Sequence, residues 1–150
     1  MDTKFHLFKI RWSHHDKWQI ENVPLPVQSG LVNYTGSGAK SIFRWYGRWQ
    51  NTEIKGTSRA VFSAFCDSIK SGEDNFTGGA PQLVGLYRKG TGKRFGIIYD
   101  NKRYLNGKTL EQNENIDTVE WRNCLFERCD GNTMEILHNA QRQPKPSQLV

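Results

Sequence analysis

The sequence predicts an α+β fold in which antiparallel sheet packs against helices, and three observations point there. Three short runs rich in β-branched and aromatic residues, Leu83–Tyr87, Phe95–Tyr99 and Tyr104-Leu105, follow one another closely. They are separated by Lys89–Lys93 and Asp100–Lys102, whose Gly, Asp and Asn residues accept the positive φ of hairpin turns, so the strands read as a meander. Between this meander and an N-terminal pair of strand-like runs lie two stretches with apolar residues at helical spacing. Strands in two batches, with helices grouped between and after them, fit a layered α+β domain; tight turns join antiparallel neighbours, not the parallel strands of a doubly wound sheet.

In chain order, Phe5–Trp12 alternates imperfectly but is rich in aromatic and β-branched residues and reads as a strand, Ser13–Asp16 turns, and Lys17–Val23 returns as the second arm of a hairpin. Pro24-Leu25-Pro26 ends the pairing, because proline brings no N–H to a ladder. Gly30–Thr35 reads as a short strand running into Gly36-Ser37-Gly38. Ile42, Phe43, Tyr46 and Trp49 place a helix over Ala39–Gln50, although Gly47 costs it about 1 kcal/mol against alanine. A second helix starts at a Thr57 or Ser58 cap, carries Val61, Ala64, Phe65 and Ile69 as its stripe, and stops at Gly72 after Lys70. Beyond the meander, Glu111–Asp117 is a polar loop and Thr118–Arg128 a third helix, broken by Asp130-Gly131-Asn132. A last helix runs from Asn132 or Thr133 through Gln141. Residues 1–142 are expected to form one globular domain, and Gln143-Pro144-Lys145-Pro146 to open a disordered tail over 143–150.

Composition narrows the function classes. The chain has 150 residues, 36% of them hydrophobic, enough for a core. Lys and Arg number 21 against 15 acids, a net charge of +6, and the cations are spread along the chain instead of packed into one run. Cys66, Cys124 and Cys129 form no CxxC pair and have no histidine at metal spacing, so reduced thiols in a cytoplasmic setting are expected, with no metal and no cofactor. No apolar run reaches the ~18 residues of a membrane helix, so no membrane role is expected.

The segment strand, Gly36-Ser37-Gly38, helix is the first candidate site. Glycines let a ligand approach the backbone, and a helix start offers unpaired N–H groups to an anion. As a nucleotide-phosphate loop it fits badly, because Ala39 interrupts the glycine-lysine-serine order. The pair of motifs Tyr34-Thr35-Gly36-Ser37-Gly38-Ala39 and Gly78-Gly79-Ala80-Pro81-Gln82-Leu83, set around two helices, resembles proteasome-type N-terminal nucleophile hydrolases over about residues 30–107. That resemblance implies a partial αββα sandwich, with two sheets between helical layers. It also implies an oxyanion hole at the amides of Gly36, Ser37 and Gly38. Such enzymes use an N-terminal Thr, Ser or Cys whose own amine is the base. Thr3 leads a strand here and would serve only if Met1 and Asp2 were removed; otherwise the nucleophile strand is missing. The resemblance therefore implies a hydrolase-like protein acting in a homo- or hetero-oligomer, non-catalytic by itself.

Other residues offer further readings. His14-His15-Asp16 suits a solvated turn better than a metal site, since neighbours on a strand point opposite ways. Cys66 belongs to a core stripe. Arg44, Trp45 and Arg48 interleave cations with rings, and Lys93 and Arg94 gather at a meander turn. Together they would contact single-stranded nucleic acid by stacking and charge neutralisation, the rival reading of a small basic nucleic-acid-binding or interaction protein from a defence or mobile-element setting. Helical spacing alone accounts for Trp45 and Trp49 as a buried face.

Overall fold

The computed structural model describes residues 4–111, 114, 116 and 118–146. Its architecture is α+β, with two helices, a two-stranded hairpin and a mixed six-stranded sheet. The hairpin comes first: β1 (Leu7–Ser13) pairs antiparallel with β2 (Lys17–Val23), from Leu7 opposite Val23 to Ser13 opposite Lys17. Ser13 closes the turn, its Oγ accepting from the Asp16 amide at 2.9 Å, and the expected solvated turn of His14, His15 and Asp16 is exposed. Pairing stops at Val23, ahead of Pro24.

Two helices follow where helical spacing placed them, α1 (Ala39–Trp49) and α2 (Ser58–Lys70). Thr57 caps α2, accepting from the Ala60 amide at 3.3 Å, and Gly72 takes φ +64° just past its end. The stripe of α2 differs from the expected one: Phe62 and Cys66 are buried, whereas Phe65 is 37% exposed. The reason is that α2 is covered on two sides. Phe62 and Cys66 face Phe95, Ile97 and Tyr99 of the sheet, and Ala60 and Ala64 face Ile42 and Trp49 of α1. Small residues four apart let the second helix approach closely. The layers therefore run sheet, α2, α1.

The sheet is built around β4 (Lys93–Tyr99). Along one edge β4 pairs antiparallel with β3 (Leu83–Gly85) and then β5 (Lys102–Leu105), as the meander requires. The β4–β5 turn is a two-residue loop with Asp100 at φ +48° and Asn101 at +55°, the geometry those residue types predict. Asn106-Gly107 makes a second such turn into β6 (Lys108–Thr109).

The other edge of β4 corrects the sequence reading. Thr118–Arg128 is not a helix; it contains β7 (Glu120–Asn123), parallel to β4, and β8 (Arg128–Cys129), antiparallel to β7. Two local causes are visible. The Asn123 Oδ1 accepts from the amides of Leu125 (2.9 Å) and Glu127 (3.0 Å), so the side chain supplies a turn where a helix needs backbone bonds. Trp121 lies flat over Gly96 and Gly131, where an added Cβ would stand 2.4 Å and 2.2 Å from the indole. Neither is the expected last helix present: Asn132–Gln141 forms turns and one bridge, Ile136 to Cys129, because Asp130 Oδ1 accepts from the Asn132 and Thr133 amides and the chain doubles back along β8.

Gly30–Thr35, expected as a short strand, pairs with no strand and is irregular; the Leu31 amide donates to Tyr46 Oη at 3.2 Å. Gln143, expected to open a disordered tail, is 6% exposed; its side-chain amide donates to Ser63 Oγ of α2 and its backbone amide to Glu127 Oε1, both at 3.0 Å. The described residues thus hold one six-stranded sheet and a separate hairpin, in place of two sheets stacked between helical layers.

Candidate functional site

Thr3 lies outside the described residues. The Gly36-Ser37-Gly38 turn opens α1 as expected, with Gly36 at φ +105° and Gly38 at the cap position. What faces it is acidic. Asp74, in the loop after α2, accepts from Ser37 Oγ at 2.6 Å, from Thr77 Oγ1 and from the Phe76 amide at 3.2 Å. These hydrogen bonds, that from Ser37 first, hold its carboxyl below the usual carboxylate range. Neighbouring Glu73 accepts from Ser41 Oγ at 2.8 Å and pairs with Arg44. A Cβ on Gly38 would sit 3.0 Å from Thr77 Oγ1 and 3.2 Å from Asp74 Oδ2, which accounts for glycine there. The turn is a latch joining the start of α1 to the loop after α2 through the hydroxyls of Ser37 and Ser41.

The basic and aromatic candidates are divided between layers. On α1, Arg44 pairs with Glu73, the Arg48 guanidinium stacks 4.2 Å from the Trp45 ring, and Trp45 packs into the α1–α2 core. Trp49, 1% exposed, donates its indole N–H to Asp67 Oδ2 at 2.8 Å, so the buried-face reading of this helix holds. Lys93 and Arg94 are exposed at the start of β4, where Lys93 lies 5.5 Å from the Tyr87 ring. With α2 standing between α1 and the sheet, the two groups do not form one surface.

A further feature was not singled out in the sequence. In the β1–β2 ladder alternate residues share a face. Phe8, Ile10 and Trp12 of β1 therefore stand beside Ile20 and Trp18 of β2, with Ile10 opposite Ile20 and Trp12 opposite Trp18. They are 55%, 62%, 51%, 71% and 71% exposed, and among the described residues no other helix or strand comes within 8 Å, Cα to Cα. The opposite face carries Lys9, Arg11, Gln19 and Glu21, with Arg11 and Glu21 paired at 3.3 Å. The signal was present as strict alternation, F-x-I-x-W answered by W-x-I.

A cavity of about 400 Å3 beside β7 and β8 is lined by Arg103, Trp121, Arg128 and Asp130. There Arg103 is a structural anchor, 5% exposed and donating to the carbonyls of Glu111, Glu114 (3.1 Å) and Gly131 (3.0 Å). Among the described residues no three His, Cys, Asp or Glu side chains converge as a metal site, and no helix is long and apolar enough to cross a membrane. The fold and site define an α+β protein with a projecting amphipathic hairpin. No protein family, curated protein or solved structure matches the chain.

Proposed function

We propose that this chain is an interaction protein, a component of an assembly that docks through the apolar face of its β1–β2 hairpin, the occupant being the same face of a second copy. The observation that carries the reading is a contiguous run of five large apolar side chains, each more than half exposed, on a hairpin that no other described helix or strand approaches within 8 Å, Cα to Cα. From those exposures the patch amounts to about 600 Å2, the upper end of what soluble monomers leave uncovered. Two copies stacked face to face would bury about 1,200 Å2, the lower end of specific interfaces. The face carries no charge, so stacking brings no like charges together despite the net +6. A two-stranded hairpin is marginal alone, and a second layer supplies what it lacks.

Two comparisons favour this over the alternatives. A single-strand nucleic-acid site needs rings and cations on one surface. In the hairpin the pleat puts Trp12 and Trp18 on one face and Lys9 and Arg11 on the other. The hydrolase reading rests on the glycine motifs, and the turn that would supply oxyanion donors already bonds the Asp74 carboxylate through Ser37.

Sedimentation velocity over a dilution series tests the proposal. Wild type is expected to show a concentration-dependent dimer that is lost in Trp18→Ser/Ile20→Ser and kept in Gln19→Ser, on the other face. A wild-type chain that stays monomeric up to about 100 µM would overturn self-docking.

A further inference from the structure

We infer that the outer edge of β3 takes an extended, acidic peptide, which adds to the sheet as a further strand. The inference is independent of the hairpin, which is a separate element. β3 and β5 follow one another along the same edge of β4, opposite Lys93–Phe95 and Ile97–Tyr99 respectively. β6 covers β5, but beyond β3 that row of the sheet is vacant. Among the described residues β4 is the only helix or strand within 8 Å of β3, Cα to Cα. Outside the β3–β4 ladder, Leu83–Arg94 makes no backbone hydrogen bond among the described residues. Alternate residues of an antiparallel edge strand turn their N–H and C=O groups away from the partner, so β3 presents an unused ladder.

The side chains along this edge select the occupant. Val84 and Leu86 are largely exposed, and Tyr87, whose ring lies against Gly85, is half exposed. Arg94 stands opposite Val84 on one face of the sheet. Lys93 stands opposite Gly85 on the other, its Nζ 5.5 Å from the Tyr87 ring. Arg88 and Lys89 follow in the loop between the strands. All four cations are exposed, and among the described residues none is in an ion pair. The whole stretch Asn75–Tyr99 contains no Asp or Glu to neutralise them.

An extended acidic peptide uses all of these features at once. Its backbone completes the ladder, its apolar side chains cover Val84 and Leu86, and its carboxylates meet the cations on both faces. At about 3.4 Å per residue, Leu83–Tyr87 would pair a segment of about five residues. The same charges oppose pairing of this edge with its copy on a second chain, so they select against self-association while attracting an acidic strand. Nucleic acid fits less well. Single strands are held by successive stacking rings, and this edge has one, Tyr87, set among aliphatic side chains.

The test is fluorescence anisotropy on the full chain with a labelled heptapeptide that alternates glutamate with valine. Expected is saturable binding in the micromolar range, weakened at least about tenfold in Lys93→Glu/Arg94→Glu. Binding should be unchanged in Lys17→Glu/Lys40→Glu, which alters the net charge equally on elements that do not approach β3. Two further peptides carry N-methyl groups on alternate residues, one in each frame, and keep every charge. One should lose binding and the other keep it, because only one set of amides faces β3. Should the Lys93/Arg94 variant fail to fold, the methylated pair on wild type still decides. Binding weaker than about 1 mM, equal loss in the distant variant, methylated peptides that behave alike, or an oligothymidylate bound more tightly than the peptide overturns the inference.

Discussion

Trp18 is the most informative single position. It is 71% exposed, so its indole makes little contact inside the chain, and replacing it by serine should leave the monomer's stability within about 0.5 kcal/mol. In a hairpin-to-hairpin dimer the same ring goes from exposed to covered. A tryptophan presents at most ~250 Å2, so the exposed part is about 180 Å2, and full coverage at about 25 cal/mol per Å2 would contribute about 4 kcal/mol. A two-layer contact without a third element leaves ring edges wet, and ordering the side chain costs part of the gain, so about 2 kcal/mol per copy is the working figure. Each dimer contains two copies of the residue, which makes about 4 kcal/mol, or roughly a thousandfold in the dissociation constant. Sedimentation velocity reads that constant, and thermal melting at low concentration reads the monomer. Two results refute the reasoning: a Trp18→Ser dimer as tight as wild type, or a monomer melting several degrees lower, which would place the ring in the fold and not in an interface.

The remaining predictions concern the body. Gly96→Ala puts a methyl 2.4 Å from the Trp121 ring in the middle of the sheet, so a loss of about 1–3 kcal/mol is expected in chemical denaturation. Asp74→Ala should lower the melting temperature at about pH 7. Because its carboxyl is held below its unfolded value, that contribution is present above the unfolded pKa and lost as pH falls through the folded one, so the gap to wild type should narrow as pH falls below the ordinary carboxylate range. Asp67 behaves oppositely: burial, only partly offset by the Trp49 hydrogen bond, raises its carboxyl. Wild-type stability from this group therefore falls as pH rises from the unfolded carboxylate value through the folded one. Asp67→Asn keeps an acceptor for the indole and should gain on wild type as pH rises above the ordinary carboxylate value in thermal melts.

Much of the fold was legible where local chemistry decides it. Asp100-Asn101 sits at positive φ between strands, Thr57 caps α2, and Gly72 follows its end, each as the residue types require. The failure came where tertiary context prevailed. Val119, Leu125 and Phe126 have helix-compatible spacing, but β7 is the parallel neighbour of β4, and a strand buried against a sheet partner and a helix need not alternate. Its pairing with a strand over twenty residues earlier leaves no periodic trace. The features that betray it are Gly96, Trp121 and Gly131, complementary in shape only once the strands are adjacent.

The site was legible in a different sense. Gly36-Ser37-Gly38 was read as a glycine turn opening a helix, and α1 does start there; what faces it depends on Glu73 and Asp74, more than thirty residues away. A glycine turn therefore marks a close approach without naming the approaching group, which here belongs to the chain itself. The hairpin presents the converse case. Its alternation marks an apolar face, and sequence reasoning assigns such a face to the core by default. Pro24-Leu25-Pro26 ends the ladder, and among the described residues no other helix or strand comes within 8 Å of the pair, Cα to Cα. An apolar face that the fold leaves uncovered on an otherwise regular element is the pattern expected when the covering layer comes from another chain.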